Sequence, residues 1–135
     1  MEIGQKKILL LVVINVIKKK QTMKLNYPFQ LEVRLLYLDC WACWLCGENG
    51  QRKGGLEIHH ILGRVSDSAF NSSCLCKDCH SRMGHSQQEE QKLFFITIKY
   101  LFDKEYKPNE NDMNFLNEYG EHLITEQVTE FINKL

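Results

Sequence analysis

The chain has no excess of either charge: its 135 residues hold 17 lysines and arginines against 17 aspartates and glutamates. No global electrostatic attraction to nucleic acid follows from that balance. A membrane-spanning run is also lacking. The longest apolar stretch, Ile8 to Ile17, is ten residues broken by Asn15, and a spanning helix needs about 20. Internal repeats are absent. The six cysteines, at 40, 43, 46, 74, 76 and 79, form two tight clusters with none elsewhere. A secreted disulfide framework would spread them along the chain, so this spacing favours metal binding. The length predicts one domain, with room for an appendage.

What charge there is falls unevenly. Residues 1–23 hold five lysines against one acid, residues 24–102 are nearly neutral, and residues 103–135 hold three basic against eight acidic residues. The acidic end argues against wide non-specific contact with a polyanion. Any such contact would be local or assisted by a partner protein.

Three readings stand for the start. Residues 1–22 are a translated leader ahead of a true initiator at Met23, an ordinary strand or helix, or a targeting segment. The run from Ile8 to Ile17 has the length of a signal h-region and follows two lysines, yet three lysines succeed it and no small-residue cleavage site appears. Tyr27 to Leu38 reads as a short helix with Pro28 in its first turn. "NGQRKGG" is a turn and "LEIHHI" a strand with period-2 alternation. "GRVSDSAFNSS" reads as a polar loop, and "CLCKDCHSRMGH" runs on into a helix. Ser86 and Glu89 have capping-box spacing, which predicts a helix over 87–103 with Leu93, Phe94, Ile96, Ile98, Leu101 and Phe102 on its core face. Residues 112–134 read as one amphipathic helix, or as two with the break at Gly120.

Cys43-x2-Cys46 and Cys76-x2-Cys79 have the spacing of a tetrahedral thiolate site for structural zinc. Cys40-x2-Cys43 shares that spacing. Cys43 and Cys46 are preferred because Gly47 follows, and glycine lets the chain turn tightly around a metal. Cys40 and Cys74 are then left as ordinary buried thiols.

Four of the five histidines fall between 59 and 85, interleaved with the second cysteine pair. Adjacent histidines on an extended backbone face opposite ways, so His59 and His60 are suited to two different tasks. The order "CWLCG", "EIHHI", Asn71, "LCKDCH" resembles the HNH endonuclease family over about residues 43–85. That resemblance implies an α+β fold: a small ββα-metal core stapled by a four-cysteine zinc site, with flanking helices. It implies an HNH nuclease domain over 23–103, followed by an acidic helical extension over 104–135.

The resemblance also implies the roles. His60 matches the general base, and an imidazole suits that task near neutral pH. His59 and His80 match ligands of a catalytic divalent cation, Mg²⁺, Mn²⁺, Ni²⁺ or Zn²⁺. Asn71 matches the asparagine that orients the base through its side-chain carbonyl, with an ordinary turn residue as the competing reading. Relatives often carry aspartate where His59 stands, and imidazole there shifts preference towards the borderline metals. His85, five residues beyond His80, is either a further ligand or a solvent-facing residue beside the next helix. Among Arg64, Arg82, Lys53 and Lys77, Arg64 is the first choice for holding a phosphate, against the reading of a solvated charge.

The implied activity is metal-dependent hydrolysis of DNA phosphodiester bonds. Compact members of this kind resemble those of phage and mobile-element genomes, which implies a cytoplasmic protein (the host's cytoplasm, if phage-encoded) with no membrane association. The target sequence and the oligomeric state are not legible. The rival from another class is a non-catalytic zinc-knuckle module that binds nucleic acid or protein. A third reading, a secreted toxin-like nuclease, rests on the apolar run alone.

Overall fold

The computed structural model describes residues 33, 35–38, 40–50, 55–84 and 86–135. Among them the order is strand β1 (Leu56–His60), a 3-10 turn (Ala69–Asn71), strand β2 (Ser72–Cys76), and helices α1 (Lys77–Arg82), α2 (Gln87–Asp103), α3 (Glu110–Leu123) and α4 (Glu126–Asn133). The chain is thus a small α+β protein. The readings of residues 1–22 and of His85 lie outside the described residues. So does most of the helix expected from Tyr27, of which Val33, Leu35 and Leu36 are helical.

The two strands pair antiparallel, with Leu56 opposite Cys76, Ile58 opposite Cys74 and His60 opposite Ser72. A lone two-stranded sheet is marginal in water. Here β2 is buried along its whole length, and α2 covers it with Leu93, Phe94, Thr97, Ile98 and Leu101. The expected polar loop is therefore wrong over its last residues. Ser72 and Ser73 lie inside because their hydroxyls are satisfied there. Ser72 Oγ donates to the Ala69 carbonyl at 2.6 Å, and Tyr37 Oη lies 2.6 Å from Ser72 Oγ. Ser73 Oγ donates to the His59 carbonyl at 3.4 Å. Thr97 Oγ1 donates across to the Ser72 carbonyl at 2.7 Å, tying α2 to the sheet. Polar composition hid a core strand.

Helix α2 spans the predicted range. Its N-cap, Ser86, accepts from the Glu89 N–H at 3.2 Å and donates its hydroxyl to Glu89 Oε1 at 2.9 Å. Of the predicted core face, Ile96 and Phe102 are only half-buried, and Thr97 takes a fully buried place. The break at Gly120 is not found. Gly120 is buried within α3 and its carbonyl accepts from the Ile124 N–H. The chain turns at Ile124 instead, because Thr125 offers a side-chain cap to the Val128 N–H and starts α4. Leu116, Leu123 and Val128 join Phe70, Leu75 and Phe94 in one apolar core. No helix of the described residues is long and apolar enough to cross a membrane.

Candidate metal centre and histidine cleft

Cys43 and Cys46 sit on a tight turn. The Gly47 N–H donates to the Cys43 carbonyl at 2.9 Å, and Gly47 adopts φ +74°, where a side chain would be strained. Gly50 lets the chain pass close to β1: a Cβ there would meet the Leu56 side chain at 2.6 Å. The Trp44 N–H donates to the Cys74 carbonyl at 3.0 Å and fastens the turn to β2. Cys76 ends β2 and caps α1, its Sγ accepting from the Cys79 N–H at 3.3 Å. One turn and one strand end thereby bring four thiols together.

The Sγ atoms of Cys43, Cys46, Cys76 and Cys79 all lie within 4.8 Å of one another, and Cys46 Sγ is 4.0 Å from Cys76 Sγ. A tetrahedron with metal–sulfur bonds of about 2.3 Å has sulfur–sulfur edges of about 3.8 Å. The donor set and its spacing fit a structural metal such as zinc. Cys40 takes no place in the cluster; its Sγ lies 3.7 Å from the Ala42 carbonyl, so Cys43 and Cys46 form the working pair. Cys74 is buried, as expected, and Cys40 is half-buried. Two of the thiols are shifted in opposite directions. Burial pushes the Cys43 thiol up, but backbone hydrogen bonds at Cys46, Cys76 and Leu45 outweigh it and bring the group down to about 7. Burial and then the thiols of Cys76, Cys43 and Cys46 push Cys79 up to about 12. Metal binding draws the remaining protons off such a group.

His59, His60 and His80 lie on β1 and on α1. His59 is buried and His60 half-exposed, the opposite orientation that an extended backbone gives neighbours. Helix α1 starts directly after β2 and carries His80 over β1, where its ring stands 4.9 Å from that of His59, centroid to centroid, at 73°. A cleft of about 620 Å³ opens there, lined by Ile58, His59, His60, Gly63, Arg64, Asp67 and His80. Three of the predicted site histidines and the predicted phosphate-holding arginine thus share one wall. Lys77 and Arg82 do not line it; Arg82 pairs with Asp78 one helical turn earlier, at 3.2 Å.

Comparison of the chain with protein-family models, with curated proteins and with solved structures finds no match.

Asn71 differs from its expected role. Its side-chain carbonyl accepts from the Leu62 N–H at 2.9 Å, not from His60, and its amide donates to the carbonyls of Gly63 at 3.1 Å and Ser66 at 2.7 Å. A fully buried asparagine with three backbone partners shapes the loop after β1, and so acts on the cleft through its backbone. Two carboxylates that the sequence reading passed over stand beside the histidines instead. Asp67 Oδ1 lies 3.0 Å from His60 Nε2, and Glu57 Oε1 lies 3.4 Å from His80 Nδ1. Glu57 was legible in principle, since two positions before His59 is the same face of a strand. Asp67 was not, because loop geometry decides which way it points.

Proposed function

We propose that this chain is a metal-dependent nuclease of the HNH kind, with a ββα-metal core, that hydrolyses DNA. The observation that carries the reading is the convergence of His59, His80, His60 and Arg64 on one cleft beside a four-thiol cluster. Phosphodiester hydrolysis needs a cation to offset charge on the phosphate and the leaving oxygen, and a group to take a proton from water. His59 and His80 supply imidazole nitrogens for a divalent cation of the Mg²⁺, Mn²⁺, Ni²⁺ or Zn²⁺ series. Glu57 at His80 Nδ1 leaves Nε2 for that cation, the usual division of labour in a histidine ligand backed by a carboxylate. His60 is the general base, and Arg64 holds a phosphate oxygen. The thiol cluster carries no chemistry of its own in this reading; it fixes the strand end and the helix that present His80.

The binding-module reading rests on the cysteine cluster alone and leaves this grouping of histidines unused. Incubation of supercoiled plasmid with the purified chain and each of Mg²⁺, Mn²⁺, Ni²⁺, Co²⁺ and Zn²⁺ separates the two. Cleavage with at least one ion, leaving 5′-phosphate ends, is expected. His60→Ala should lose it by roughly 10²–10⁴-fold with an unchanged thermal midpoint. No cleavage of plasmid, single-stranded DNA or RNA with any ion, or full activity in His60→Ala, would favour the binding module.

A further inference from the structure

We propose that Asp67 is the positioning residue for His60, fixing which imidazole nitrogen takes the proton; this rests on the nuclease reading above. The contact is His60 Nε2 to Asp67 Oδ1 at 3.0 Å. A carboxylate only accepts. In the neutral imidazole Nε2 therefore carries the hydrogen and Nδ1 keeps its lone pair, which makes Nδ1 the atom that receives the proton from water.

A pair this exposed is ordinarily worth little, because two mobile side chains must be held in one geometry. Here the loop fixes the backbone on either side of one partner. On one side of Asp67, the Ser66 carbonyl accepts from Asn71 Nδ2 and Ser66 Oγ accepts from the Ser68 N–H at 3.0 Å. On the other, Ser68 Oγ donates to Asp112 Oδ1 at 2.6 Å, and the Ala69 N–H donates to the same oxygen at 3.2 Å. Asp112 is fully buried on α3 and also accepts from the Tyr106 hydroxyl and the Asn109 N–H. Both neighbours of Asp67 are thus pinned, one to the 3-10 turn through Asn71 and one to the helical core through Asp112. With the residues on either side fixed, the Asp67 carboxylate reaches His60 from a defined backbone position, and a defined position is what an oriented base needs.

The sign of its effect separates this role from a bystander's. A negative charge in a cleft that receives phosphate repels the substrate, so removing a bystander aspartate should tighten DNA binding and leave or raise turnover. Removing a positioning residue should lower kcat. For Asp67→Ala the expected loss in kcat is roughly 10–100-fold, the range of one lost charged hydrogen bond, with KM for plasmid unchanged or lower. Asp67→Asn keeps a carbonyl acceptor and should recover part of the loss. In a His60→Ala background, Asp67→Ala should cost nothing further, since the two act as one unit. Long-range ¹H–¹⁵N spectra of the histidine rings add a readout independent of cleavage. They should show His60 protonated at Nε2 and bare at Nδ1, with a mixture of tautomers in Asp67→Ala.

Asp67→Ala with kcat equal to or above wild type, a further additive loss in the double variant, or a wild-type His60 protonated at Nδ1 would each overturn the proposal. Should the wild-type chain cut nothing, the nuclease reading falls, and the ring spectra still decide whether Asp67 fixes His60.

Discussion

The two halves of the described chain are held together by different means. Residues 40–84 carry two five-residue strands and a six-residue helix that buries no residue fully. Much of what they bury is polar: His59, Ser68, Asn71, Ser72 and Ser73. Residues 86–135 carry three helices whose inner faces are mostly aliphatic and aromatic, among them Leu93, Phe94, Leu101, Leu116 and Leu123. A surface that must present imidazoles and thiols cannot also be an apolar core. The half with the candidate chemistry carries a four-thiol cluster whose spacing fits a metal, and it is tied by hydrogen bonds to the helical half. Asp112, reaching from α3 to Ser68 and Ala69, is one such link.

Metal removal should break that comparison open most widely. A structural zinc of four thiolates contributes on the order of 10 kcal/mol apparent folding energy. Chelation, or Cys76→Ser, should therefore cost β1, β2 and α1 their hydrogen-exchange protection before α2, α3 and α4 lose theirs. Equal protection with and without metal would mean that the thiol cluster is not the staple. Next in size is a cut in the helical half. Leu116 is fully buried, so Leu116→Ala should destabilise the protein by about 2–5 kcal/mol in denaturant titration, with zinc content unchanged.

A smaller effect should come from the link between the halves. Asp112→Asn sets an amide donor among four hydrogen bonds that all point at a carboxylate, and should cost about 1–3 kcal/mol. Its pH dependence has a definite sign. Burial holds the Asp112 carboxyl above its ordinary 3.8, against the pull of Ser68, Tyr106, Asn109 and Ala69. The folded chain then binds this proton more readily than the unfolded chain does. The contribution is fully present below the ordinary value and is lost as pH rises through the raised one. The stability gap between wild type and Asp112→Asn should accordingly narrow as pH climbs above about 4.

How much of this was legible in the sequence depended on whether a local rule was enough. The strand at His59 and His60 follows from alternation, the knuckle at Cys43 and Cys46 from spacing and Gly47, and helix α2 from Ser86 and a periodic face. Strand β2 failed because Ser72 and Ser73 read as polar when their partners, the carbonyls of Ala69 and His59 and the hydroxyl of Thr97, are long-range or follow from the fold. Gly120 failed because a buried glycine inside a helix and a glycine that ends one look alike until packing is known. Asn71 was expected to orient His60, but its side chain meets the backbone of Leu62, Gly63 and Ser66, and which of its atoms meets which backbone group is decided by the loop it organises.

The proposed nuclease divides labour between two cation sites, thiolates that hold the fold and histidines that act on the substrate. Stepwise cobalt titration of the metal-free chain tests it most directly, because tetrahedral thiolate cobalt has an intense visible spectrum and cobalt on nitrogen and oxygen ligands a weak one. The first equivalent should give the intense thiolate bands and no plasmid cleavage. Cleavage should appear with the second equivalent, and His59→Ala should abolish only that second step. Cleavage that follows the first equivalent, or a His59→Ala chain that keeps the second binding step and full activity, would contradict the account.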